Sequence, residues 1–375
     1  MTAARVLIVD DSSLVRQLLK SVLSADAELE VVGVAADPIR AWDMIQRLNP
    51  DVITLDVEMP RMNGLTFLEK LMRARPMPVV VVSALTAADC ETTLRALELG
   101  AVDGVEKPKL DIERGLEGLG AELLRKVKAA ACARPRAASA DPASSSAALT
   151  GAGLSALSAT PERSVPAVPA RAAQRLGPPV IAIGASTGGT EALRRVLAQL
   201  PETSPGVIVV QHMPGHFTRQ FAERLDRLCA VRVREAADGD AVTPGQVLIA
   251  PGGALHTQLQ LHAGQPVVKL VDGPMVNYSR PSVDVLFHSC ASVLGRRAVG
   301  ALLTGMGQDG AEGLLAMRRA GAGTVAQDEA TSVVFGMPKE AIARGAAEIV
   351  APLHEVAGVL LRLVERLQPS LRQGR

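Results

Sequence analysis

Aromatic residues are scarce in this chain: its 375 residues include one Trp, one Tyr and five Phe. Its cores must therefore be built from Val, Leu, Ile, Ala and Met. Cysteine is scarce too, with Cys90, Cys132, Cys229 and Cys290 far apart and no Cys-x-x-Cys. That spacing implies no disulfide framework or zinc ribbon and suits a reducing cytoplasm. No sign of charge dominates, since the net charge is +1, which argues against a strongly basic nucleic-acid binder. No run of about 18 apolar residues suggests a membrane span. The N-terminus passes straight into Arg5-Val6-Leu7-Ile8-Val9, without the basic, apolar and small-residue regions of a secretory signal. A cytoplasmic location is expected.

The length allows two domains, each with its own core. Residues 5–128 alternate short apolar runs (Val6–Val9, Val31–Ala35, Val52–Leu55, Val79–Val82, Val102–Val105) with helical patterns near 14–24, 38–48, 64–74, 86–98 and 111–128. Continuous apolar runs suit strands buried on both faces, and their alternation with helices predicts an α/β domain around a parallel sheet. Residues 129–177 are dominated by Ala, Ser, Pro and Arg. They lack the large apolar residues needed to offset ordering entropy and read as a disordered linker. From Pro179 the alternation resumes, predicting a second α/β domain over 178–375, doubly wound, with some antiparallel edge strands from the 231–271 region.

In the first domain, Asp10 and Asp11 end the first strand, Asp56 the third, Ser83 the fourth and Lys107 the fifth. Ligands of doubly wound sheets gather at the carboxyl ends of strands, so these side chains are expected to converge. Three carboxylates together call for a cation, and oxygen ligands suit Mg²⁺. Lys107 and Ser83 can meet a phosphoryl group. Taken singly, each carboxylate could equally be a solvated strand end or a helix cap. Taken together, Asp10-Asp11, Asp56, Ser83 and Lys107-Pro108 make residues 1–128 resemble a response-regulator receiver domain. The resemblance implies a flavodoxin-like fold with Asp56 as phosphoacceptor. Mg²⁺ would be held by Asp11, Asp56 and the backbone carbonyl of Glu58, with Asp10 nearby, and the Lys107–Pro108 peptide could be cis. One position departs from the pattern: Gly104 stands where the family carries an aromatic that reports phosphorylation.

In the second domain, an apolar run ends in Gly184-Ala185-Ser186-Thr187-Gly188-Gly189, ahead of a helical stretch. A serine on a sharp strand-to-helix turn is where a nucleophile and a stabilised oxyanion can be built together. Such a turn is also a common phosphate cradle, and Thr187 there is equally well explained as a helix N-cap. A dinucleotide site would want Gly-x-Gly-x-x-Gly and an acidic end to the next strand, which here ends in Gln211-His212. His212 is placed to take the serine proton. Asp309, in the Gly-rich stretch after Ala301-Leu302-Leu303, is placed to orient it, with the Met306 backbone N–H as an oxyanion donor. His212 and His216 could suggest a metal pair, but Pro214 and Gly215 lie between them.

Blocks through this half carry a second resemblance: Ile183–Thr190, Gln211-His212-Met213-Pro214, Ile249–Gly253, Arg280-Pro281-Ser282-Val283-Asp284, Leu303–Asp309 and Phe335-Gly336-Met337-Pro338. With the receiver in front, the chain resembles the chemotaxis-type protein-glutamate methylesterases. The resemblance implies a Rossmann-like hydrolase domain without a cofactor, removing γ-methyl esters from glutamates of a chemoreceptor and deamidating glutamines. It implies a chemotaxis histidine kinase as phosphodonor, and a receiver that packs over the cleft until Asp56 is phosphorylated. A DNA-binding output is disfavoured, because no helix-turn-helix follows a basic run.

Overall fold

The computed structural model describes residues 3–59, 63–84, 87–107, 116–133 and 178–367. The first unit has five strands, β1 (Ala4–Val9), β2 (Leu29–Ala35), β3 (Val52–Asp56), β4 (Val79–Ser83) and β5 (Asp103–Glu106). All pairs are parallel, in the order β2-β1-β3-β4-β5. This is the flavodoxin-type order, which puts the ligand crevice at the carboxyl ends of β1 and β3. Every residue of β3 and β4 is buried, as their unbroken apolar runs require.

Its helices are α1 (Ser13–Ser24), α2 (Pro38–Leu48), α3 (Gly64–Ala74), α4 (Ala87–Glu98) and α5 (Leu116–Ala131). Their starts follow from local chemistry: Ser12, Asp37 and Asn63 cap α1, α2 and α3 with side-chain oxygens, and Pro38 opens α2 where a missing N–H does no harm. Helix α5 runs to Ala131, into the stretch expected to be linker. Residues 134–177, the rest of that stretch, lie outside the described residues.

The second unit has a seven-stranded sheet in the order β14-β13-β12-β6-β7-β9-β8. Its strands are β6 (Val180–Ala185), β7 (Gly206–Gln211), β8 (Arg232–Glu235), β9 (Gln246–Ile249), β12 (Ala298–Leu302), β13 (Gly323–Gln327) and β14 (Ile349–Ala351). All its pairs are parallel. The antiparallel pair expected from the 231–271 region is a separate two-stranded hairpin, β10 (His256–His262) with β11 (Gln265–Val271), while edge strand β8 runs parallel to its neighbour.

Helices α6 (Gly189–Leu197), α7 (Gly215–Asp226) and α11 (Leu353–Leu367) share one apolar core; α8 (Val283–Leu294), α9 (Ala311–Arg319) and α10 (Met337–Ala343) share the other. The first strand, β6, lies between β7 and β12, so the chain winds outward both ways from it. Loops leaving β6 and β12 therefore diverge, and open the switch-point crevice that binds ligands in such folds.

Phe287 is fully buried in the core beneath α8 and α9. Phe287→Ala should cost about 3–5 kcal/mol, measured by denaturant unfolding of the second unit. A loss under about 1 kcal/mol would show that the core can collapse around the gap.

Candidate active site and phosphoacceptor pocket

Ser186 follows the last residue of β6, and α6 starts three residues later. Gly188 between them has φ +76°, and a Cβ there would lie 2.5 Å from Val333, so the turn needs glycine. The loop after β12 is pinned to the turn: Ser186 N–H donates to the Thr304 carbonyl at 3.0 Å, and Thr304 Oγ1 donates to the Thr187 carbonyl at 3.0 Å. Gly305 is needed for close approach, since a Cβ there would stand 2.7 Å from the Ser186 Cβ. Met306 follows, and its N–H has no hydrogen-bond partner among the described residues. Thr187 is not a helix cap. The N-cap position of α6 is Gly188, without a side-chain bond, and Thr187 Oγ1 donates instead to Asp103 of the receiver at 2.8 Å.

His212 follows β7 directly, in register beside the end of β6. Its Nε2 is 2.8 Å from Asp309 Oδ2, and its Nδ1 is 3.4 Å from Ser279 Oγ. Asp309 is buried at the N-terminus of α8. There it accepts from Ser282 Oγ at 2.7 Å, Val283 N–H at 2.7 Å, Asp284 N–H at 3.2 Å and Asn277 Nδ2 at 3.3 Å. Burial alone would push its carboxyl up, but the bond and charge of His212, with the Ser282 and Val283 bonds, hold it below the ordinary carboxylate range. An anionic Asp309 beside Nε2 selects the tautomer with the proton on that nitrogen and leaves Nδ1 as the acceptor.

Ser186 and His212 line one cavity. No hydrogen bond joins the Ser186 hydroxyl to His212 in this arrangement, so the structure brings His212 and Asp309 into contact and Ser186 only beside them. Asn277, Ser279, Ser282 and Thr304 were not picked out as site residues. Ser282 had a signal: a serine before an apolar helical run is an N-cap, and its hydroxyl accepts from Val285 N–H. Asn277 and Ser279 had none, because their loop meets the site only through folding.

In the receiver, oxygens of Asp10, Asp11 and Asp56 lie within 4.8 Å of one another. Lys107 Nζ is 2.6 Å from Asp56 Oδ2 and 3.4 Å from Asp10 Oδ2. Burial, then the charge of Asp56, pushes Asp10 up to about 6. Burial also raises Asp56, against the pull of Lys107. Burial opposes the charge on Lys107, yet its bond to Asp56 and the acidic neighbours hold it above its usual range. Glu58 N–H donates to Asp56 Oδ1 at 3.0 Å. Ser83 is buried at the end of β4, where its carbonyl accepts from Lys107 N–H at 2.7 Å. Asp10, Asp11, Asp56 and Lys107 thus come together, with Ser83 bonded through its carbonyl to the Lys107 N–H. Pro108, and with it the question of a cis peptide, lies outside the described residues.

The two sites are joined by an interface. Leu94 of α4 is part of the core around α6 and α7, and Met306, Val333 and Val334 pack with the receiver's core beside α5. Arg224 pairs with Glu98, and Gly188 N–H donates to the Val102 carbonyl at 3.2 Å. Lys126 of α5, 2 % exposed, lies 3.0 Å from Asp103 and donates to the Gly104 carbonyl at 2.6 Å. A Cβ on Gly104 would meet Thr93 Cγ2 at 2.8 Å, so the place of the family's aromatic is already filled. Receiver residues Val102, Asp103 and Lys126 close the cavity holding Ser186 and His212 down to about 20 Å³, room for one water.

Comparison with known proteins identifies both units. Residues 6–116 match the response regulator receiver domain, and residues 181–360 match the CheB methylesterase family. A protein-glutamate methylesterase/protein-glutamine glutaminase of Bordetella bronchiseptica is 53% identical over 367 residues, covering 98% of this chain and 99% of its own. A relative of the same description from Anaeromyxobacter dehalogenans is 54% identical over 362 residues, 96% of each chain. The solved catalytic domain of Thermotoga maritima CheB methylesterase is 37% identical, covering 51% of this chain and 100% of its own at a TM-score of 0.49. Similarity of this extent, running through both units, shows that the chain belongs to the CheB methylesterase family, hydrolases that join a receiver domain to a protein-glutamate methylesterase/protein-glutamine glutaminase domain.

Proposed function

We propose that the second domain, residues 178–375, is a serine hydrolase that removes γ-methyl esters from glutamates of a chemoreceptor and releases methanol. The observation that carries this reading is His212, held by Asp309 through one nitrogen and opening with Ser186 onto one cavity. Ser186 Oγ attacks the ester carbonyl while His212 Nδ1 takes its proton. The oxyanion is met by the Met306 N–H, which has no other partner among the described residues. The imidazolium, balanced by Asp309, then protonates the departing methoxide, so methanol leaves and a glutamyl ester remains on Ser186. Water, with its proton taken by His212, hydrolyses that ester to glutamate and restores the serine. A glutamine amide follows the same course with ammonia as leaving group. In this geometry Ser279 Oγ sits where Nδ1 must receive the serine proton, so Ser186 has to rotate in as substrate binds. Catalytic hydrogen bonds often tighten only then.

The first domain, residues 1–128, is read as the control on access, with residues 129–177 as the tether. Asp56 is the phosphoacceptor, and a chemotaxis histidine kinase is the donor. Ser83 and Lys107 meet the phosphoryl oxygens. Three carboxylates face one lysine, and Asp10 Oδ2 is buried without a hydrogen bond, so the pocket suits a divalent cation. Asp11, Asp56 and the Glu58 carbonyl would hold Mg²⁺, with Asp10 nearby; bound there, the ion neutralises carboxylate and phosphoryl charge. The working place of such an enzyme is the cytoplasm, beside the receptor's methylated helices.

Ser186→Ala should lower methanol release from membranes holding methylated receptor by at least ~10³-fold. Near-normal turnover would remove Ser186 as nucleophile. The fragment 178–375 should outpace the unphosphorylated full chain, by about tenfold if one molecule in ten is open; equal rates would end the case for autoinhibition. Asp10 has its own signature. Its native pKa of about 6 exceeds the ordinary 3.8, so the folded state binds the extra proton. The cost of ionised Asp10 is full above pH 6 and is relieved as pH falls toward 4. Asp10→Asn should therefore stabilise the Mg²⁺-free protein by about 1–2 kcal/mol at pH 7.5, after allowing for partial solvation, and by nothing near pH 4. A pH-independent difference in denaturant midpoints would contradict this origin.

A further inference from the structure

The loop between β11 and α8 carries the chain's single tyrosine in an unusual position. Asn277 and Tyr278 are consecutive residues with φ of +50° and +59°, closed by mutual backbone hydrogen bonds between Val276 and Ser279 at 3.2 and 2.9 Å. Two successive left-handed residues make a type I′ turn, whose second position favours glycine. A bulky side chain there costs backbone strain, so a tyrosine at that position needs a reason outside the turn.

Nothing among the described residues supplies one. Tyr278 is 88% exposed and has no hydrogen bond to them, and Met275 beside it is 63% exposed. The frame that carries them is fixed at many points. Asn277 Nδ2 donates to Asp284 at 2.7 Å and to Asp309 at 3.3 Å; Ser279 Oγ reaches His212; Arg280 donates to the carbonyls of Gly253 and Gly273 at 3.1 and 2.9 Å. The neighbours of Tyr278 on both sides thus touch the proposed base and its orienting carboxylate, while its own ring points away from the protein. The receiver leaves it uncovered.

We propose that Tyr278, with Met275, is a docking lip that binds the polypeptide flanking the esterified glutamate, and so sets specificity for protein over free ester. The inference rests on the esterase reading of the same site. A rigid exposed tyrosine offers a large amphipathic contact with only two torsions to fix. Its place at the rim suits a substrate whose reactive group enters the cleft while its main chain stays outside. A free glutamyl ester has nothing to extend that far.

The test compares two substrates on the full chain activated with Mg²⁺ and acetyl phosphate: membranes holding methylated receptor, and a soluble N-acyl glutamate γ-methyl ester. Tyr278→Ala should lower kcat/KM on the receptor about tenfold, chiefly through KM, and leave the free ester within about twofold. Tyr278→Gly, which suits the turn, should show the same loss with an unchanged or higher Tm, separating lost contact from lost fold. Unchanged receptor kinetics, or equal losses on both substrates, would overturn the docking role. Absence of hydrolysis of either substrate by the wild-type chain would instead sink the esterase reading, and the lip with it.

Discussion

The arrangement of the second domain depends on how one buried carboxylate is kept charged. Asp309 is nearly inaccessible, and desolvation alone would neutralise it. It stays anionic because it meets the free N–H groups at the start of α8, the Ser282 hydroxyl and His212 together. A helix N-terminus favours negative charge, so α8 supplies the compensation. The consequence reaches three elements. Helix α8 is fixed against the β12–α9 loop, His212 is fixed in one tautomer, and Asp284, the next carboxylate on α8, is pushed upward by burial and by the neighbouring negative charge. Two buried acids side by side do not both ionise readily. Asp284 is accommodated by the Gly313 N–H and the Asn277 amide, at 2.7 Å each. This network leaves the loop from Met275 to Arg280 little freedom, which is why strain in its turn can persist.

Much of this was legible in the sequence, and what was legible had a period or a punctuation mark. The buried strands β1, β3, β4, β6 and β7 announce themselves as unbroken apolar runs, and Asp10, Asp56, Ser83, Ser186 and His212 stand at or next to their carboxyl ends, as Lys107 does beside β5. Strand β13 leaves little trace in the sequence because Gly323-Thr324-Val325-Ala326-Gln327 is short and holds one large apolar residue; it is a strand because β12 and β14 pair with it on both sides. Helix α10 leaves little trace for a similar reason, being seven residues long. Asp309 was legible as a carboxylate near a strand end, but its hold on α8 was not, since that contact spans some 25 residues of chain. Thr187 shows the opposite error. A threonine at a strand-to-helix turn is a natural cap, yet here a partner from the other domain takes its hydroxyl.

That partner, Asp103, lies among the contacts by which the two domains meet over the cleft. Lys126 is almost wholly buried and lies within 3.2 Å of both Asp103 and Glu122. These carboxylates keep its charge in place, and both belong to the receiver, so separation of the domains does not strip a buried ammonium of its partners. Across the seam, the bonds among the described residues include the Thr187 hydroxyl to Asp103, the Gly188 N–H to Val102, the Cys90 thiol to the His216 carbonyl and the Arg224–Glu98 pair. Each of these groups can turn to water, so their net worth is small. The apolar part of the seam, Leu94 against α6 and α7 and Met306 against the receiver, carries more of the closing free energy.

The substitution of Gly104 for an aromatic fits the same picture. An aromatic reporter needs a space to rotate into, and here Thr93 and the Lys126 side chain occupy the region around β5. Strand β5 is paired to β4, whose last residue is Ser83 of the phosphoacceptor pocket, and Lys107 bonds back to it. Lys107 follows the last residue of β5, while Asp103 at its start and Val102 just before it supply the carboxylate and carbonyl that bond the serine turn. The strand itself thus runs from one site to the other. Such a route asks for a stiff strand with polar contacts at both ends, which is what Lys107 and Asp103 provide.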